Sequence, residues 1–172
     1  MRYTLTAGAL RRGTERETLC RIRGLGERRR IEDAANCVCL NVHLRRNGKD
    51  RTGDVRFHRY AALDAAGREI AAAVPDYAPA EEPESAGWPL SRMPRADRAR
   101  MMWRGQAYSL TMRSPCRYLL LDGFGQEAAC IARRGLAGTW QIDARDVFPP
   151  ALLCAVFVFC RWLEKENELP MI

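Results

Sequence analysis

Residues 150–160 read Pro-Ala-Leu-Leu-Cys-Ala-Val-Phe-Val-Phe-Cys, a helix with no polar side until Arg161. Proline is tolerated in a first helical turn, where its missing N–H has no partner to lose, and Glu164-Lys165-Glu166-Asn167 reads as the exit to solvent. A helix that is apolar all round has to be enclosed on every side. The apolar run that contains it, Val147 to Cys160, has 14 residues and includes Pro149 and Pro150. A membrane-spanning helix needs about 20, so the segment predicts a buried core helix. The rest of the chain has to supply the enclosure.

What precedes the helix alternates with a period of two, the signature of half-buried strands. Val38, Leu40, Val42 and Leu44 fall on one face, and Cys37, Cys39, Asn41 and His43 on the other. Asn47-Gly48 follows, a dipeptide that tolerates positive φ at both positions of a tight hairpin, and Val55 to Leu63 reads as the returning strand. Tyr108, Leu110 and Met112 alternate with polar residues, as do Trp140 and Ile142. Many amphipathic strands and one helix without a polar face are satisfied together by a closed antiparallel β-barrel. The prediction is a mainly β fold, roughly a dozen strands wrapped around a hydrophobic C-terminal helix at 150–166, with 1–172 forming a single domain.

A weak repeat punctuates the strands: Ile31-Glu32-Asp33-Ala34-Ala35-Asn36, Ala62-Leu63-Asp64-Ala65-Ala66-Gly67 and Leu120-Leu121-Asp122-Gly123-Phe124-Gly125. Asp at the first position accepts backbone N–H groups, and Gly or Asn three residues later takes the left-handed conformation, so each predicts a turn. A calcium loop would need further carboxylates at its third and fifth positions, which are absent. Residues 75–100 differ in character. Five of the nine prolines (Pro75, Pro79, Pro83, Pro89, Pro94) fall there with Glu81, Glu82 and Glu84, which predicts an irregular surface loop or linker.

The seven cysteines are odd in number and scattered through apolar segments. With no signal-like N-terminus, they predict reduced thiols and a cytoplasmic protein. Cys37, Cys39 and His43 suggest a metal site only until strand spacing is applied. Side chains at i and i+2 lie about 7 Å apart and those at i and i+6 about 20 Å, too far for one ion. Neither a metal nor a cofactor is predicted. His43 and His58 are the only histidines, and no nucleophile elbow, P-loop or full dinucleotide fingerprint is present. The chain reads as a non-enzyme; a cavity holding His43 or His58 beside an acid would reverse that reading.

The order Leu120-Leu121-Asp122-Gly123-Phe124-Gly125-Gln126-Glu127, then Ala129-Cys130-Ile131-Ala132, then Trp140-Gln141-Ile142, then the apolar helix, resembles the tubby C-terminal-like superfamily. Its LURP-one-related and phospholipid-scramblase-like branch is nearest. The resemblance is best over 104–166, extends to 31–74, and is absent over 75–100. It implies strand–Asp-x-x-Gly–strand hairpins closing into a barrel around the C-terminal helix, and binding of phosphoinositide headgroups by basic surface residues. This chain lacks the acidic calcium segment and the lipidation cluster of the membrane-active branch, so lipid scrambling is not expected.

Charge supplies the remaining signal. Net charge is +7, and it is uneven: residues 1–59 carry 15 basic and 7 acidic residues (+8), and residues 60–172 carry 13 and 14 (−1). Of the 28 basic residues 26 are Arg, the mark of an Arg-rich proteome as much as of a site. Clustered guanidinium groups hold phosphates by paired hydrogen bonds. Arg28, Arg29, Arg30, Arg45, Arg46, Lys49 and Arg51 are the candidate ligands for an anionic phospholipid headgroup, which would make the protein a peripheral visitor to an anionic membrane surface. The alternative is a structural or interaction domain that meets an acidic protein. Nucleic acid is disfavoured, because no aromatic residues are interleaved with the arginines to stack on bases.

Overall fold

The structure, a computed structural model, describes residues 1–13, 15, 17–47, 57–77, 96–135 and 138–166. Among them twelve strands run in chain order: β1 (Arg2–Thr6), β2 (Ala9–Arg12), β3 (Thr18–Arg23), β4 (Arg28–Asp33), β5 (Val38–Asn47), β6 (Phe57–Leu63), β7 (Glu69–Asp76), β8 (Arg98–Trp103), β9 (Gln106–Ser114), β10 (Arg117–Leu121), β11 (Glu127–Arg134) and β12 (Thr139–Ala144). Each pairs antiparallel with its neighbour in the chain, and β1 pairs with β12, so the sheet closes into a barrel with no free edge. One helix, α1 (Pro150–Glu166), follows β12. The mainly β, helix-filled barrel predicted from periodicity is the fold.

Alternation decides which residues face inward. Tyr3, Leu5, Leu10, Ile31, Leu40, Val42, Tyr60, Met101, Leu110, Tyr118, Leu120, Ile131, Trp140 and Ile142 form one core with Leu152–Val156, Val158–Cys160, Trp162 and Leu163 of α1. The helix touches the wall all round: Phe159 meets Tyr60 of β6, Phe157 meets Trp140 of β12, and Trp162 Nε1 donates to Gly26 O between β3 and β4. Phe157 is half-buried, whereas Phe159 is fully enclosed. No helix is long and apolar enough to cross a membrane among the described residues. Outward positions include exposed Arg21, Arg23, Arg28, Arg30, Arg45 and Arg98, the reverse of the apolar band on a lipid-facing barrel.

Because neighbouring strands alternate in direction, the connections after even-numbered strands all lie at one end, where α1 begins. The three Asp turns are at this lower end. In each, Asp Oδ1 accepts the N–H groups two and four residues on: Ala35 and Cys37 (both 2.9 Å) for Asp33, Ala66 and Arg68 (both 2.9 Å) for Asp64, and Phe124 (3.0 Å) and Gln126 (2.9 Å) for Asp122. Asn36, Gly67 and Gly125 close the turns at φ of 62°, 80° and 76°. α1 enters from this end and rises about 25 Å to the upper end, at 1.5 Å per residue.

Three expectations need correction. A bulge in β5 pairs Ile31 with Leu40 but Glu32 with Val38, leaving Cys39 unpaired; Cys39 packs on the core and Val38 does not, the reverse of strict alternation. The Pro-rich segment 75–100 is shorter than its composition suggests, since Pro75 and Asp76 belong to β7 and Arg98–Arg100 to β8, with Pro75 opposite Ala99. Residues 78–95 lie outside the described residues, as does the Gly48 half of the Asn47-Gly48 turn. Glu164 and Glu166 do not mark an exit to solvent: their side chains are 18% and 8% exposed.

Candidate functional site

The sequence-predicted arginines divide between the two faces of the wall. Consecutive residues of a strand point in opposite directions, so Arg28, Arg29 and Arg30 cannot share a face. Arg29 stands opposite Val42 and is half-buried; its Nη1 donates to Gly24 O, and its Nε is buried without a partner among the described residues. Arg28 and Arg30 point outward. Arg28 stands opposite His43, Arg30 opposite Arg23 and Asn41, and Arg45 opposite Arg59. Directly opposed side chains on one face are about 5 Å apart at Cβ, so β3 to β6 carry a continuous basic outer face. The Arg46 backbone is opposite His58, but its side chain, Lys49 and Arg51 lie outside the described residues.

Carboxylates neutralise only part of this face. Glu32 holds Arg23 at 3.5 Å and Glu69 pairs with Arg59. Arg28, Arg30 and Arg45 have no ion-pair partner among the described residues. Burial, then the Arg28 and Arg45 guanidinium groups beside it, hold the His43 imidazole below its ordinary pKa. His43 therefore lies between two cations that favour its neutral form.

A second cluster, which sequence reasoning did not assemble, sits at the upper end inside the barrel. His58 Nδ1 lies 2.6 Å from Glu166 Oε1, Tyr60 OH donates to the same oxygen at 2.9 Å, and Tyr77 OH donates to Oε2 at 3.1 Å. His58 and Tyr60 are inward neighbours two apart on β6, Tyr77 follows β7, and Glu166 ends α1. The His58 Nε2 is buried with no hydrogen-bond partner among the described residues. Burial, then the Glu166 charge, raise the Tyr60 phenol far above its ordinary pKa and keep it a donor. Glu164 is held in the same way by Tyr118 OH at 2.8 Å and by Arg161. These contacts fix the helix end to β6, β7 and β10.

The cavity lies at the other end. About 590 Å³ is lined by the bulged residues Cys39 and Ile70, by Ala71, Trp103 and Arg104 and by Leu152 of the first helical turns. The two halves of the condition set for an enzyme, a histidine beside an acid and a cavity, are thus about 20 Å apart along α1. Nearby, the Cys20 and Cys154 thiols are in hydrogen-bond contact, the Cys20 thiol being lowered by that contact and the buried Cys154 raised by it. No group of three or more His, Cys, Asp or Glu side chains among the described residues could hold a metal ion. Compared with family models, with curated proteins and with solved structures, the chain matches none.

Proposed function

We propose that the protein is a non-catalytic binding module of the tubby-like kind, which engages anionic phospholipid headgroups through the outer face of β3 to β6. The observation that carries the reading is the set Arg28, Arg30 and Arg45: three outward guanidinium groups on adjacent strands, without an ion pair among the described residues, two of which, Arg28 and Arg45, flank His43. Guanidinium groups spaced by strand register match the several oxygens of a phosphate better than a diffuse charge does. A helix-filled closed barrel is also the architecture that the tubby-like resemblance implies. Arg29 drops out of the ligand set, since its guanidinium is turned into the wall.

The test is co-sedimentation with vesicles of phosphatidylcholine alone, with phosphatidylserine, or with a phosphoinositide, at about 50 and 300 mM salt. The triple variant Arg28→Ser, Arg30→Ser, Arg45→Ser is compared with a charge-matched control, Arg98→Ser, Arg113→Ser, Arg117→Ser, taken from the exposed far side. Selective binding lost in the first variant and kept in the control supports the reading. Equal loss in both variants, or no binding to any vesicle, overturns it and turns the search to an acidic protein partner.

A further inference from the structure

The lower cavity takes no part in the headgroup reading and has its own chemistry. Its volume, about 590 Å³, falls in the range of small-molecule sites. Leu40, Ile70, Ala71 and Leu152 give it apolar walls, and Trp103 is held rigid by stacking on Phe148 at 5.0 Å between ring centroids. Two bulges shape it. The skipped pairings at Cys39 and at Ile70 each add one residue to the wall at the cavity, a device that re-aims side chains near binding sites.

Arg104 supplies the polar end. It occupies the first position of the two-residue turn between β8 and β9, with φ of 49°, and Gly105 follows at 73°. Asn, Asp or Gly suits that position, and an L side chain with a long stem is disfavoured there. The guanidinium lies over the Trp103 ring, 4.9 Å from its centroid, and has no ion pair among the described residues. The cavity's carboxylate, Glu69, is already engaged by Arg59. The cavity therefore offers an apolar body, one uncompensated positive charge fixed at its rim by an aromatic ring, and the first turn of α1, which carries no acidic side chain.

We propose that this cavity binds a fatty carboxylate, its alkyl chain against Leu40, Ile70, Ala71 and Leu152 and its carboxylate on the Arg104 guanidinium. A strained, stacked arginine with no ion pair among the described residues, at the mouth of an apolar cavity, is what a ligand with one anionic end requires. The chain supplies affinity by leaving water, and the carboxylate supplies orientation through a charge-assisted pair.

The experiment is calorimetric titration of the full chain with laurate, dodecanol, dodecylammonium and acetate, each kept below self-association. Saturable one-to-one binding of laurate is expected, with dodecanol weaker and acetate and dodecylammonium silent. Arg104→Gln is expected to weaken laurate by about tenfold or more while leaving dodecanol unchanged. Ala151→Leu, at the half-buried helix start, is expected to weaken laurate and dodecanol alike by filling the cavity. The triple serine variant of the outer face is expected to bind laurate as the parent does, which separates this proposal from the headgroup reading. Absence of saturable laurate binding, laurate affinity unmoved by Arg104→Gln, or equal binding of dodecylammonium would each overturn it.

Discussion

His58 Nδ1 and Glu166 Oε1 stand 2.6 Å apart although 108 residues separate them in the chain. The pair joins β6, halfway round the strand order, to the last turn of the helix inside the barrel. Both side chains are nearly enclosed, at 11% and 8% exposure, so the carboxylate is held by hydrogen bonds in place of water.

Removing that carboxylate leaves three donors without their acceptor. Glu166→Ala is expected to destabilise the fold by about 3 kcal/mol, and Tyr60→Phe, which removes one hydrogen bond to a charged group, by about 2 kcal/mol. Urea unfolding monitored by tryptophan fluorescence measures both. A Glu166→Ala midpoint equal to the parent's would show that the cluster does not anchor the helix.

Alkali should unfold the protein earlier than its surface charge suggests. Burial, then the neighbouring glutamates, raise the Tyr60 and Tyr118 phenols far above their ordinary value, and burial pushes the Cys160 thiol up as well. In the unfolded chain a phenol loses its proton near pH 10 while the folded chain keeps it, so the unfolded state binds fewer protons. The stabilisation is therefore complete below about pH 10 and is lost as pH rises beyond it. Urea midpoints that stay level between about pH 9 and 11, or native-state tyrosinate absorbance from all five tyrosines, would contradict this.

Two phenylalanines of α1 separate the inside of the barrel from its margin. Phe159 is fully enclosed and stacks near Tyr60 and Trp162, so Phe159→Asp buries an unpaired charge and should abolish folding. Phe157 is half-buried and meets Trp140 edge-on at 5.2 Å. Phe157→Asp should still fold, with a loss of about 2 kcal/mol. A cooperatively melting Phe159→Asp protein would be incompatible with a helix inside the barrel.

The β8–β9 turn carries an arginine where its backbone prefers asparagine. Arg104→Asn relieves the positive-φ penalty and gives up a cation–π contact, and the first effect is the larger. The variant should be more stable by about 0.5 kcal/mol. A less stable Arg104→Asn protein in thermal melts would mean that the Trp103 contact outweighs the strain.

Most of the architecture was legible because its signals are local. The period-two runs in Val38–Leu44, Tyr108–Met112 and Trp140–Ile142 name strands, and the three Asp turns declare their geometry in four residues each. The inward aim of Arg29 follows only once residues 28–33 are placed on β4, where three consecutive arginines cannot share a face. The β5 bulge was not implied: nothing local distinguishes Cys39 from its neighbours, and the extra residue is tolerated because its partner strand ends there in the Asp33 turn.

That an apolar helix needs an all-round wall, and that the strands before it could build one, follows from side-chain periodicity and the cost of wetting apolar surface, both written along the chain. Which charges meet is settled by the folded barrel. Closure of twelve strands brings His58 to Glu166, sets Arg28 beside His43 and Arg45, and holds Arg104 over Trp103 at the rim of an apolar cavity. These are relations between residues tens of positions apart, fixed by register and by the height of α1 in the barrel. No pattern along the chain encodes them, because electrostatic and hydrogen-bond partners are chosen by distance in space.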